Sequence, residues 1–320
     1  MGHTILPTNL EYKDQEHHRL DLFLLSSFDG EGYTRSYWTK MIKHEYVLVN
    51  GDSKKPGYKL SEGDKIKIER PEIDATYAGE IEDVFEDELV TVVNKPAGML
   101  THSKGPFNPE FTVADHIVER TSIEQQDEDE NGRLGIVHRL DRYTSGILIT
   151  AKTSETLRHL QTQFADRKVH KFYIAVVDGT PDDSQFMIDV PISRDPINPK
   201  QMHPDINGKP STTGVSIIQS AKGKSLLLLH PLTGRTHQLR VHLSHIGHPI
   251  AGDEIYGGSS AKSNGLAKGR FLLHAYLLII RTTPGAEFSH FVAKPPEDMS
   301  SYISDEDIQA ITKQIKQQST

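Results

Sequence analysis

Between Arg133 and Thr150 the chain sets a tight turn at the mouth of an apolar strand and places one acid among bases just ahead of it. The order is Arg133-Leu134-Gly135-Ile136-Val137-His138-Arg139-Leu140-Asp141-Arg142-Tyr143-Thr144-Ser145-Gly146, then Ile147-Leu148-Ile149-Thr150. Thr-Ser-Gly reads as a turn and the apolar run after it as a strand. A carboxylate between Arg139 and Arg142 stays ionised, available as a nucleophile or as an electrostatic partner. The plain alternative is a strand entry that merely carries surface charge.

The 320 residues are enough for two domains, each with its own core. The absence of cysteine excludes disulfides, thiolate nucleophiles and cysteine metal sites, and suits a reducing compartment. The first residues show neither a basic flank nor a signal-length apolar stretch, and no apolar run reaches the roughly 20 residues that cross a bilayer. The cytoplasm is the expected location, with no membrane partner. The net charge of -8 argues against nucleic acid until its distribution is considered. Residues 72–91 and 124–130 hold thirteen acids and no base, so the rest of the chain sums to +5. From Arg133 to Lys171 there are eight bases and three acids, which makes the surroundings of Asp141 the most basic part of the chain.

The organisation follows from periodicity and turn residues. Leu20, Leu24 and Phe28 recur at helical spacing, and a second short helix opens at Arg35-Ser36 with Trp38, Met41 and Ile42 apolar. Tyr46 to Gly51 reads as strand and turn, because Asn50-Gly51 suits left-handed backbone positions. Gly63-Asp64 makes another turn before the alternating Lys65-Ile66-Lys67-Ile68. This order, with its RLD, VxVNG and GD elements, resembles the S4 RNA-binding domain. Arg19, Arg35, Lys40 and Lys43 are then the expected phosphate contacts, the alternative being that they only solvate two helices. Further on, Leu89 to Asn94 reads as a strand ended by Lys95-Pro96-Ala97-Gly98. Thr112 and Asp115 form a capping box for a helix expected to reach Glu119, and Thr153 caps a helix with Leu157, Leu160 and Phe164 on one face. Lys171 to Val177 has strand character, with Tyr173 on the face opposite Phe172 and Ile174. Ser304 and Asp307 open a last helix carrying Ile308, Ile311 and Ile315.

A second informative segment runs from Leu232 through Gly234-Arg235-Thr236-His237-Gln238-Leu239-Arg240 to Gly247-His248-Pro249-Ile250-Ala251-Gly252-Asp253. Thr236 suits an N-cap, and Leu239, Leu243 and Ile246 form the buried stripe, with Arg240 off it. Together, HRLDxxTSG, NKPxGM/L, KxY, GRTHQLRVHL…GHPIxGD and RxxLHA resemble the RluA-type RNA pseudouridine synthases over about residues 83 to 296. The resemblance implies an α/β (α+β) catalytic fold around a long, mainly antiparallel mixed sheet, beside the small α/β S4-like domain. It implies Asp141 as catalytic nucleophile, Arg240 as its pairing partner and Tyr173 against the target base in a proton-transfer role. It further implies that Arg139 fills the space left by a flipped base, that Leu273 packs beneath the site, and that His138 and Lys95 belong to the substrate pocket. Asp141 either forms a covalent adduct or stabilises a ribose-derived intermediate. A tyrosine, with an unperturbed pKa of about 10, is a poor base unless its pocket tunes it.

His237, His242, His245 and His248 are dense enough to suggest a metal, but their spacing does not bring all four to one side of a short helix, and no HExxH or carboxylate triad accompanies them. They are read as helix and turn hydrogen-bonders, and no cofactor or metal is expected. The expected domains are an extension over 1–16, the S4-like domain over 17–71, an acidic linker over 72–82, the catalytic domain over 83–296, and a C-terminal helix and tail over 297–320. The expected partner is RNA, foremost large-subunit ribosomal RNA or its precursor, with transfer RNA second and the protein monomeric. The rivals are a non-catalytic RNA-binding or ribosome-assembly protein and, more weakly, a hydrolase using Asp141.

Overall fold

The computed structural model describes residues 8–29, 33–69, 80–103, 110–123, 135–257 and 266–318. Arg133, the acidic 124–130 stretch and residues 72–79 of the expected linker lie outside them. The chain divides into two compact units, a small one holding 8–29, 33–69, 102–103, 110–115 and 123 and a large one holding 80–101, 116–122, 135–257 and 266–318.

The small unit contains β1 (Thr8–Glu11), α1 (Leu20–Ser27), α2 (Arg35–Lys43), β2 (Val47–Val49), β3 (Asp52–Ser53) and β4 (Lys65–Ile68). The four-residue spacing in α1 buries Leu20 and Leu24 completely, with Phe28 packed against the same cluster. Thr34 caps α2 by accepting the Tyr37 N–H, and α2 buries Trp38, Met41 and Ile42. Asn50 and Gly51, both left-handed (φ 55° and 85°), join β2 to β3. In β4 the lysines point out and the isoleucines in, as a half-buried strand requires. The sheet order is β1-β4-β2-β3. The expectation of a separate 1–16 extension is therefore corrected: Thr8–Glu11 pairs antiparallel with β4, and Tyr12 lies in the core.

The large unit is built on a sheet that, among the described residues, has nine strands. Its strands are β5 (Glu82–Glu86), β6 (Val90–Lys95), β7 (Ser145–Ala151), β8 (His170–Asp178), β9 (Gln185–Asp189), β12 (Thr212–Ala221), β13 (Lys224–Pro231), β14 (Leu273–Ile280) and β15 (Ser289–Val292). A separate hairpin pairs β10 (Ile192–Arg194) with β11 (Met202–Pro204). The long order is β5-β6-β7-β14-β8-β13-β12-β9, with β15 beside β14, and only the β7–β14 pairing is parallel. Every residue of β7 and β14 is buried, which accounts for apolar runs without alternation, since strands covered on both faces need no polar side.

The two faces of this sheet differ. Phe172, Ile174 and Val176 of β8 pack with Leu226 and Leu228 and with Ile311 and Ile315 of α6 (Asp305–Gln318). On the opposite face Ala175, Val177 and Tyr173 meet Leu227, Leu229, Leu273 and the Leu239 and Leu243 side chains of α5 (Gln238–His245). Ser304 and Asp307 form the expected reciprocal box at the start of α6. Burial of Met299, Ile311 and Ile315 within the sheet's own core, at roughly 1.5–3 kcal/mol for each such side chain, removes the expected boundary at 296–297. In α4 (Ser154–Ala165) Thr153 caps as expected, while α3 (Val113–Ile117) stops short of Glu119 and passes into a 3-10 turn, Val118–Arg120. Among the described residues no helix is long and apolar enough to cross a membrane.

Candidate active site

Asp141 stands on the turn that enters β7. Thr144 N–H donates to its carbonyl at 3.1 Å, and Gly146 (φ 116°) lies so close to Ala275 that any Cβ there would collide with its backbone. The glycine of the Thr-Ser-Gly run thus lets β7 and β14 come together directly behind Asp141. The turn is clamped from the β6 side. Lys95 is fully buried, and its ammonium donates to the carbonyls of Pro96, Met99 and Arg142 at 3.0, 2.8 and 3.0 Å. Gly98 N–H also donates to the Arg142 carbonyl, and Thr101 Oγ1 bonds both the N–H and the carbonyl of Leu140.

The Asp141 side chain is 24% exposed, and two cationic or polar groups face its Oδ2: Arg240 Nη1 at 3.5 Å and His237 Nε2 at 3.8 Å. Arg240 was expected to pair with Asp141, but its fork is taken by Asp253. Nε and Nη2 donate to the two Asp253 oxygens at 2.7 and 2.9 Å, which leaves only Nη1 for Asp141. Asp253 is fixed in turn by the N–H groups of Ile255 and Tyr256. The guanidinium lies over the rings of Phe271 and Tyr256 at 4.3 and 4.9 Å. Burial works against its charge, yet the bonds to Asp253, with help from Asp141, hold its pKa above the ordinary arginine value. An arginine held this way is a fixed cation beside Asp141.

Tyr173 sits on β8, opposite Ala275 of β14 and Leu229 of β13, and packs in the cluster that includes Leu273. Burial, and secondarily the Asp141 charge, push its phenol well above the ordinary tyrosine value. Arg139 is exposed.

Two expected pocket residues have other work. His138 Nε2 accepts the Ile149 N–H at 3.1 Å, its ring stacks on Phe164, and burial, then Lys171, lower its pKa to about 3. It is a neutral prop for β7. Lys95 spends its three hydrogens on carbonyls, as described, and burial lowers its pKa to about 7. It shapes the Asp141 turn and has no donor left for a substrate. In the small unit, Arg19 and Arg35 both bond Asp21, which is 1% exposed, whereas Lys40 and Lys43 are exposed on the last turn of α2.

Three site residues carry no catalytic or pocket role in the sequence: Asp253, His237 and Tyr256. Asp253 was visible in the GHPIxGD run, but its claim on Arg240 depends on a turn 13 residues downstream. The N-cap of α5 is His237, in a left-handed conformation, and Thr236 precedes it. Two other histidines of this segment behave as hydrogen-bonders: His242 reaches Thr213 and Val190, and His248 reaches Asp178.

Residues 89–245 match the sequence profile of the RNA pseudouridylate synthase family, and residues 19–66 that of the S4 domain. The chain is 37% identical over 298 residues to ribosomal large subunit pseudouridine synthase D of Borreliella burgdorferi, covering 89% of each. It is 37% identical over 255 residues to the Zymomonas mobilis protein of the same name, covering 76% of this chain and 80% of that one. Among solved structures, human RNA Pseudouridylate Synthase Domain Containing 1 aligns with a TM-score of 0.57 at 26% identity, covering 73% of this chain and 95% of that one.

Proposed function

This chain belongs to the RNA pseudouridylate synthase family, and we propose that it isomerises uridines of large-subunit ribosomal RNA with Asp141 as the nucleophile. The observation that carries this reading is the placement of the Asp141 carboxylate, partly exposed, with Arg240 Nη1 at 3.5 Å. The reaction breaks the bond between uracil N1 and ribose C1′ and makes one between C5 and C1′. The C5 proton leaves, N1 ends protonated, and no redox partner or nucleotide is consumed. Asp141 attacks the base or the ribose, and the fixed Arg240 cation orients it in a partly dry pocket, where the interaction outweighs a surface ion pair. Tyr173 packs against the uracil and takes part in removing the C5 proton, directly or by positioning a water that accepts it. Arg139, exposed and planar, occupies the space the flipped nucleotide vacates, offsetting part of the few kcal/mol that unstacking costs.

The small domain adds RNA capture, with Lys40 and Lys43 as exposed cations on the last turn of α2. Arg19 and Arg35 approach phosphates only while shared with Asp21. The protein acts as a monomer in the cytoplasm, where ribosomal RNA is its partner. Large-subunit RNA is favoured over transfer RNA because relatives that match 76–89% of this chain are named ribosomal large subunit pseudouridine synthases. Asp141→Asn is expected to abolish pseudouridine formation on unmodified large-subunit RNA while sparing RNA binding. A position-resolved pseudouridine map of cells lacking the gene tests the substrate: loss confined to transfer RNA would reject the ribosomal assignment.

A further inference from the structure

His237 takes a left-handed backbone (φ 55°, ψ 18°) at the start of α5, yet its side chain caps no helix N–H. That backbone is disfavoured for any residue bearing a Cβ and persists where surrounding contacts enforce it. The enforcing contacts lie elsewhere. His237 Nδ1 is 2.8 Å from the Tyr256 hydroxyl, and Nε2 is 3.8 Å from Asp141 Oδ2. The Tyr256 oxygen already accepts the Met202 N–H at 2.9 Å, and its single proton is free to go to Nδ1. A neutral imidazole holds one hydrogen; with Nδ1 accepting, that hydrogen is on Nε2 and faces the carboxylate.

We propose that His237 is a positioning residue for the isomerisation: Tyr256 fixes its tautomer, and its Nε2–H, together with Arg240, sets the direction in which the Asp141 carboxylate points. This rests on Asp141 being the nucleophile. At 3.5 and 3.8 Å neither donor is at hydrogen-bond distance, so the oxygen keeps its lone pairs for attack while two donors limit its rotation. A neutral N–H orients without neutralising, whereas an imidazolium would hold the carboxylate in an ion pair and blunt it. The groups facing the imidazole are Asp141, Asp253, Arg240, Arg139 and the Tyr256 hydroxyl. Burial keeps it below the usual histidine range although Asp141 pulls upward, so the neutral form prevails at neutral pH.

The test is steady-state tritium release from a C5-tritiated large-subunit ribosomal RNA transcript, with kcat and KM followed across pH. His237→Asn tolerates the left-handed backbone and retains an amide near Nδ1 but places nothing at Nε2. It is expected to lower kcat about tenfold, since what is lost is a charge–dipole contact at 3.8 Å and not a full hydrogen bond, with KM unchanged. His237→Gln, whose amide reaches the Nε2 position, should recover part of that loss. Tyr256→Phe keeps the ring under Arg240 and removes the proton that opposes His237 protonation, so the acid limb of kcat should move up by about half a pH unit or more. Wild-type kcat in His237→Asn, a loss confined to KM, or an unmoved acid limb in a folded Tyr256→Phe would each overturn the proposal. An active Asp141→Asn would overturn the nucleophile assignment and this proposal together. An inactive Asp141→Asn beside an unimpaired His237→Asn would overturn this proposal alone.

Discussion

The two units each bury an aspartate against arginine, and the stoichiometry is reversed between them. In the small unit one acid, Asp21, serves two arginines: Arg19 through Nε and Nη2 at 2.9 and 3.0 Å, and Arg35 through Nε at 2.9 Å. In the large unit one arginine, Arg240, serves two acids, forking onto Asp253 and reaching Asp141 only through Nη1. The first arrangement sums to +1 with both arginines about half exposed; the second sums to -1 with the arginine 5% exposed. A surplus cation at a surface attracts phosphate at long range. A surplus carboxylate in a cleft is oriented but not consumed, which a nucleophile requires. The same two residue types leave a surplus cation at the surface of one unit and a surplus carboxylate in the candidate site of the other.

The largest expected effect breaks the second arrangement. Asp253→Asn leaves the buried Arg240 charge with Asp141 as its only carboxylate. Removing one partner of a buried pair typically costs about 3–5 kcal/mol, so urea unfolding of the full chain should show a loss near the lower end, because Asn retains one acceptor. Arg240 should then close on Asp141 and depress kcat as well. Unchanged stability and rate would mean that Asp253 does not hold the guanidinium off the nucleophile.

Why Asp253 was invisible beforehand marks where the sequence stops being legible. The α1 stripe of Leu20 and Leu24, the Asn50-Gly51 turn and the Ser304–Asp307 box depend on residues a few positions apart, and they appear as read. The alternation around Tyr173 fixed which face of β8 it occupies, and the family motifs brought Asp141, Arg240 and Tyr173 to one place. Arg240's choice between two carboxylates depends on a tertiary turn, and no local pattern encodes it. β1 was missed because Thr8-Asn9-Leu10-Glu11 has little apolar alternation, and its partner lies more than fifty residues away. The resemblance places Lys95 and His138 in the substrate pocket. Their hydrogen-bonding capacity is used by nearby backbone, which only the folded turn and strand reveal.

A smaller effect tests the first arrangement. Asp21→Asn should cost about 1–2 kcal/mol, discounted for the solvent screening of two arginines that are half exposed. Burial raises the Asp21 pKa, but the hydrogen bonds from Arg19 and Arg35 prevail and the folded value lies below the ordinary one. A depressed folded pKa contributes stability above the unfolded carboxyl value of about 3.9 and loses it as pH falls through the lower folded value. Acid unfolding of the small unit should therefore be less steep in Asp21→Asn. Freed of their acid, Arg19 and Arg35 should also steepen the salt dependence of RNA binding by about 0.7–0.9 in the log–log slope. A shallower slope would show instead that Asp21 orients the arginines toward phosphate.

The smallest effect separates attraction from helix support at Lys40 and Lys43. Both lie on the last turn of α2, where a cation also stabilises the helix end by about 0.3–1 kcal/mol. If they hold phosphates, Lys40→Ala and Lys43→Ala should each reduce the salt slope of RNA binding by about 0.7–0.9, and Arg at either position should restore it. If they serve the helix terminus, each alanine should lower the stability of the small unit and leave the salt slope where it was. The two lysines need not agree: a divided result would place the RNA backbone along the side of α2 that carries the responsive one, and so give the surplus charge of the small unit a direction.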